Sequence, residues 1–170
     1  MKTKMEMEMQ LHQAACKGRT ETVEFLITKG ADIEAKDKHD GMPPLYWAAR
    51  YGHTKTVRLL ISKGADVNVE DDNGDTLLHV AALNGKTETV KFLISKGADV
   101  KAKDDHGSTP LHCAVLNDRI ETAELLIAKG VNVNAKDRTG LTPLYRANSN
   151  GRIKIAEILK EHGAVGGGSK

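Results

Sequence analysis

Aromatic residues are scarce in this chain, at 4% of 170 positions, cysteines number two, and no long apolar run occurs. Each shortage excludes something. With 39% hydrophobic residues but few aromatics, the core must be built from small and aliphatic side chains. No stretch approaches the roughly 18 apolar residues that span a bilayer. The opening MKTKMEMEMQ alternates charge with methionine, unlike a signal peptide, so an intracellular, cytoplasmic home is expected. Charge of one sign is lacking too: the net charge is +2, with 28% charged residues of mixed sign. Nothing there holds a polyanion by bulk electrostatics, and neither nucleic acid nor membrane is expected as a partner. G-x-S-x-G, H-E-x-x-H, C-x-x-C and the Gly-rich phosphate loop are absent, and glycines before the closing run sit singly at turns. No enzyme activity, cofactor or metal is expected.

What the chain does have is repetition. Residues 74–106 read GDTLLHVAALNGKTETVKFLISKGADVKAKDDH, and residues 107–139 begin again with GSTPLHCAVLNDRIETAELLIAKGVNVNAKDRT. Gly41, Gly74, Gly107 and Gly140 are 33 apart, as are Gly64, Gly97, Gly130 and Gly163. A fixed period of about 20–50 residues signals stacked supersecondary units, each burying its apolar face against its neighbours. Within a unit, Val57, Leu60 and Ile61 recur as Val90, Leu93 and Ile94 and as Ala123, Leu126 and Ile127, which is one helical face. Gly30, Gly64, Gly97 and Gly130 each follow a lysine that closes a helix, where a left-handed residue is wanted. The pieces that follow, ADIEAKD, ADVNVED, ADVKAKD and VNVNAKD, alternate with period two and suggest a hairpin or β-turn arm. Thr109-Pro110 and Thr142-Pro143 then supply an N-cap and a first-turn proline. Residues 1–10 extend the first helix, with Met5, Met9, Leu11 and Ala15 on one face.

At this point the chain resembles the ankyrin-repeat family. The signature T-P-L-H-x-A is complete in Thr109 to Ala114; it is nearly so in Thr76 to Ala81, with Leu77 for proline, and in Thr142 to Ala147, with Tyr145 for histidine. The resemblance covers residues 9–164 and implies an all-α solenoid of five helix-turn-helix units joined by short β-hairpin or turn arms. The units run approximately 5–38, 39–73, 74–106, 107–139 and 140–164, the outer two acting as caps of one domain, 1–164. Residues 165–170 then form a flexible tail. In this family the first helices and hairpin tips line a concave face that binds other proteins. The repeated histidine, here His12, His79 and His112, is an interior hydrogen-bonding residue. Such imidazoles stand about 10 Å apart in a stack, too far to share a zinc ion with ligands about 2 Å away. Cys16 and Cys113, three units apart, would be about 30 Å from one another, beyond the roughly 7 Å a disulfide allows.

Three departures stand out. The step from the first unit to the second is 34, the extra residue lying in Asp37-Lys38-His39-Asp40. The second unit reads Met42-Pro43-Pro44-Leu45-Tyr46-Trp47 and so loses both cap and histidine. Lys160 stands where isoleucine stood, as suits a polar C-terminal cap. Tyr46 is expected to be structural, while His39, His53 and His106 fall at turns and are expected to be solvated.

Candidate partner-binding residues follow from the resemblance. Arg50, Tyr51, Leu83, Asn84, Leu116 and Asn117 occupy the variable ends of the first helices and would face the groove. Leu83 and Leu116 would be exposed one unit apart, with Tyr51 beside them. Trp47, four residues before Tyr51, shares its helix face. Gln13 and Arg146 in equivalent slots would make poor core residues, so partial exposure of Trp47 is expected, with core filling as the alternative. Tryptophan, tyrosine and arginine dominate interface hot spots. At the tips, Asp72, Asn73, Asp75, His106 and Arg138 are candidates, the second tip acidic and the fourth slightly basic. Polarity there is equally what wet tips have. A monomer that binds another protein is expected. The closing Gly166-Gly167-Gly168-Ser169-Lys170 is linker-like and suggests, as the alternative, an engineered or reference scaffold with no natural target.

Overall fold

The computed structural model describes residues 3–38 and 40–167. His39 and the Gly168-Ser169-Lys170 end of the tail, both with expectations attached, lie outside them. The described residues form ten helices in five pairs. They are α1 (Lys4–Cys16), α2 (Thr20–Thr28), α3 (Pro44–Tyr51), α4 (Thr54–Ser62) and α5 (Leu77–Leu83). There follow α6 (Thr87–Ser95), α7 (Pro110–Leu116), α8 (Ile120–Ala128), α9 (Pro143–Ser149) and α10 (Ile153–Glu161). The first helix of each pair packs on the first helices of its neighbours, and the second on the second, giving two layers in one stack.

The core is the repeat seen end-on. Leu11, Leu45, Leu78, Leu111 and Leu144 are buried at one position of the first helices. Val23/Leu26, Val57/Leu60, Val90/Leu93, Ala123/Leu126 and Ile155-Ala156/Leu159 fill the second layer. Paired alanines, Ala14-Ala15, Ala48-Ala49 and Ala81-Ala82, let the first helices approach closely. Each fully buried aliphatic contributes about 1.5–3 kcal/mol. Polar ties add register. His12, His79 and His112 are buried, and each sets its Nε2 on a carbonyl of the next unit: Met42 at 3.1 Å, Ser108 at 3.0 Å and Leu141 at 3.2 Å. Burial pushes the imidazole pKa values of His79 and His112 down, so both stay neutral. On the second layer, Thr20–Thr56, Thr54–Thr89 and Thr87–Thr122 share hydroxyl hydrogen bonds of 2.8 Å.

Helix ends follow from their residues. Thr76 and Thr142 accept the amides of His79 and Tyr145, and prolines open α3, α7 and α9. Between paired helices the chain turns through the left-handed region. Gly85 does so at φ 65°, where an added Cβ would meet Arg119; Asp118 takes the same turn at φ 56° as the one positive-φ residue, among those described, that is not glycine.

Of the two forms expected for the arms the turn holds, and two other expectations change. The arms form no strand among the described residues; a single antiparallel bridge joins Glu70 to Thr76. Asp32, Asp66, Asp99 and Asn132 explain it, each accepting the amide two residues on, so that every arm closes as a turn. Met5 and Met9 are exposed, at 60% and 56%, while Leu11 and Ala15 are buried. Met9 and Leu11 are two residues apart, about 200° around a helix, so the two pairs face opposite ways. His53 is not solvated: it is half-buried, with its Nε2 2.8 Å from the carbonyl of Cys16, and it lies over Gly18, where any Cβ would strike it.

Other expectations hold. The inserted residue shows in the first arm, where the Asp37 amide donates to Met42, five residues on; Asp71, Asp104 and Asp137 donate four residues on. Cys16 and Cys113 are free thiols, and Lys160 is exposed.

Candidate partner-binding surface

The second unit has replaced the consensus pair at the start of its first helix. Tyr46 occupies the histidine slot and is buried. Its longer side chain reaches the next arm, where its hydroxyl donates to Asp71 Oδ2 at 2.9 Å. Burial, and the neighbouring Asp71, push its ionisation well above the ordinary phenol range. Trp47 lies beside it, half-buried, with ring centroids 5.5 Å apart and planes at 86°. The indole Nε1 donates to Asp37 Oδ2 at 2.6 Å. Trp47 is therefore partly exposed, with its N–H edge tied down and part of its ring packed against the core. Tyr51, 48% exposed, stacks on it at 6.2 Å with planes 19° apart. The Arg50 guanidinium sits 5.5 Å from the centre of the indole ring. Three candidates, Trp47, Arg50 and Tyr51, are thus assembled into one ledge.

The equivalent slot in the last unit shows the same geometry with different chemistry. Arg146 reaches Asp137 Oδ2 through Nε at 3.1 Å and a terminal nitrogen at 2.5 Å. Burial works against the Asp137 charge, but hydrogen bonds from Thr139, Arg146 and the backbone amides of Leu141 and Thr139 outweigh it. The carboxyl is held far below the usual range. Asp37, Asp71, Asp104 and Asp137 form a ladder, each tying its own tip through backbone amides, and sequence reasoning missed it. The signal was present: aspartate recurs at these four positions with the period of the repeat.

The expected apolar row is narrower. Leu116 is exposed at 40%, but Leu83 is half-buried, not exposed. Asn117 Nδ2 and Arg119 Nε both reach across one unit to its carbonyl, at 3.0 and 3.2 Å, and cover it. Asn84 is half-buried and folds back on Val80; Asn117 is exposed.

At the tips, Asp72, Asn73, His106 and Arg138 are exposed. Adjacent tips are joined by backbone bonds of 2.8 Å, Asp105 N–H to Asn73 and Arg138 N–H to His106. Asp75 differs. It is half-buried, and its Oδ1 is sealed from solvent without a hydrogen-bond partner. Burial first, then the charges of Asp71 and Asp104, push its pKa up to about 6, partly offset by His106. Its ligand atoms lie within 4.8 Å of those of Asp104 and Cys113, but burial pushes the Cys113 thiol far above its usual range. A protonated thiol is a poor metal ligand. An open groove of about 370 Å³, lined by Met5, Met9, Gln13 and Lys36 among others, meets the ledge at Asp37.

The family model for ankyrin repeats, in three copies, matches residues 11–104 and 101–166. The chain belongs to the ankyrin-repeat family. Comparison with curated proteins finds no match. Ankyrin repeats are generally protein–protein interaction modules, and proteins built from them are typically non-catalytic. No helix among the described residues of this ankyrin-repeat chain is long and apolar enough to cross a membrane.

Proposed function

We propose that this chain is a non-catalytic module that binds a partner protein through the side formed by its first helices and arm tips, the concave side in ankyrin-repeat geometry. The observation that carries the reading is the Trp47–Tyr51 stack, in which an exposed phenol ring lies on a half-buried indole held by the Asp37 hydrogen bond. Arg50 completes the anchor; Leu116 and Asn117 extend it along the first-helix layer, and the tips of the second to fourth arms, including Asp72 and Arg138, frame it. Leu83 and Asn84 contribute as half-buried flanks. The module acts as a monomer, with residues 1–164 as one binding domain and 165–170 as an appended tail. A stack preformed by histidine and threonine ties loses little ordering entropy on binding, so its contacts convert to affinity efficiently. Trp47→Ala and Tyr51→Ala, tested against a partner captured by crosslinking in cells, weaken binding while the thermal melt stays in place. If both variants melt earlier by the amount a core truncation costs, the reading fails.

A further inference from the structure

Between Lys63 and Lys86 the chain carries five carboxylates, Asp66, Glu70, Asp71, Asp72 and Asp75, and no lysine or arginine. The third and fourth arms mix their signs: Lys101 and Lys103 accompany Asp99, Asp104 and Asp105, and Lys136 and Arg138 flank Asp137. None of the five joins an ion pair among the described residues. Arg50 lies beside the Tyr46 hydroxyl that donates to Asp71, and His106 lies near Asp75, while no ion pair among the described residues engages Glu70 or Asp72. Asp75 is pressed by Asp71 and Asp104 and keeps a sealed, unbonded oxygen. Carboxylates held together in this way are stabilised by an incoming cation.

The acidic arm is tied to the aromatic ledge through the buried Tyr46. Asp71 bonds Tyr46 at 2.9 Å, Tyr46 meets Trp47 edge-on at 5.5 Å, and Trp47 stacks on Tyr51 at 6.2 Å. With its N–H committed to Asp37, half-buried Trp47 presents only ring surface, which is stacked by Tyr51 and already draws the Arg50 guanidinium; such ring surface attracts cations and the aliphatic stems of long basic side chains. We infer that the partner segment docking here is a basic peptide stretch, whose lysine or arginine stems lie along Trp47 and Tyr51 and whose cationic heads reach the Asp72–Asp75 edge. This rests on the protein-binding reading above and adds the partner's chemistry to it.

The test selects random 12-residue peptides displayed on phage against the immobilised full-length chain. The expected pool is rich in lysine and arginine. A synthetic peptide from it should lose about tenfold or more in affinity between about 50 and 500 mM salt. The Asp72→Asn/Asp75→Asn double variant, with a melt no lower than the parent's, should lose about tenfold as well, and so should Trp47→Ala. A pool with no basic enrichment that still depends on Trp47 and Tyr51 overturns the basic partner and leaves the protein-binding surface standing. A pool indifferent to both sets of variants, or no selectable peptide at all, overturns both.

Discussion

The second and fourth units have one fold and use it differently. In the fourth, Thr109 and His112 are buried, and the histidine reaches a carbonyl of the fifth. Cys113, in the tryptophan slot, is sealed inside. In the second, Pro43 stands in the threonine position and offers no side-chain cap, Tyr46 reaches the next tip through its hydroxyl, and Trp47 and Tyr51 come to the surface. The differences that change what is presented lie along the first helix, although the second helix differs too and the buried Ala49 and Val57 become Val115 and Ala123. The buried Leu45 and Leu60 of the second unit match Leu111 and Leu126 of the fourth. The repeat keeps its central leucines and varies most in what it presents, so the unit that departs most from the consensus is where function is sought.

The largest effect sharpens the shared half of that comparison. Leu60→Ala and Leu126→Ala should each cost about 2–5 kcal/mol of stability, read by urea unfolding, because both leave a cavity in a sealed seam. A large difference between them would mean that the units do not share one core. Next comes the edge. Trp47→Ala and Tyr51→Ala should weaken partner binding by about 1–4 kcal/mol in calorimetric titration, while Cys113→Ala leaves it unchanged. His112→Ala then strands the Leu141 carbonyl and should cost about 1–3 kcal/mol in stability.

Smaller effects probe the tips and turns. The folded-state pKa of Asp75, up to about 6 from 3.8, means that its charge opposes folding at neutral pH and that the opposition fades as pH falls through 6 towards 4. Its partial exposure discounts the effect to about 1 kcal/mol. Asp75→Asn should therefore raise Tm at pH 7.5 by about 2–4 °C, with the gain shrinking to nothing near pH 4. His79 and His112 run the other way: their stabilising neutrality is lost as pH falls below about 6.5, but equally in both proteins, so the difference isolates Asp75. Smallest is Asp118→Gly, which relieves a left-handed aspartate and should raise stability by about 0.5–1 kcal/mol.

The architecture was legible because each unit repeats its instructions. Glycine, proline, threonine and the interior histidine each carry one local rule, and together they marked the ten helices and the ties between units. The edge was harder to read, since it depends on what crosses from unit to unit. Nothing adjacent to Leu83 in sequence says that Asn117 and Arg119 lie across it. His53 looks like a turn residue until Gly18, 35 positions earlier, is placed beneath it. The arms alternate like strands, yet each carries an Asp or Asn whose side chain competes for the amides a strand would need. The ledge at Trp47 was visible as composition, but nothing in the sequence says that its indole bonds Asp37 in the preceding arm.

Hydroxyl-radical footprinting of the full chain, with and without its crosslinked partner, addresses the central reading directly. Trp47 and Tyr51 should be oxidised in the free chain and protected in the complex. Phe25, 59% exposed on the second-helix layer, should react equally in both. Protection of Phe25 with Trp47 and Tyr51 unchanged would contradict the account.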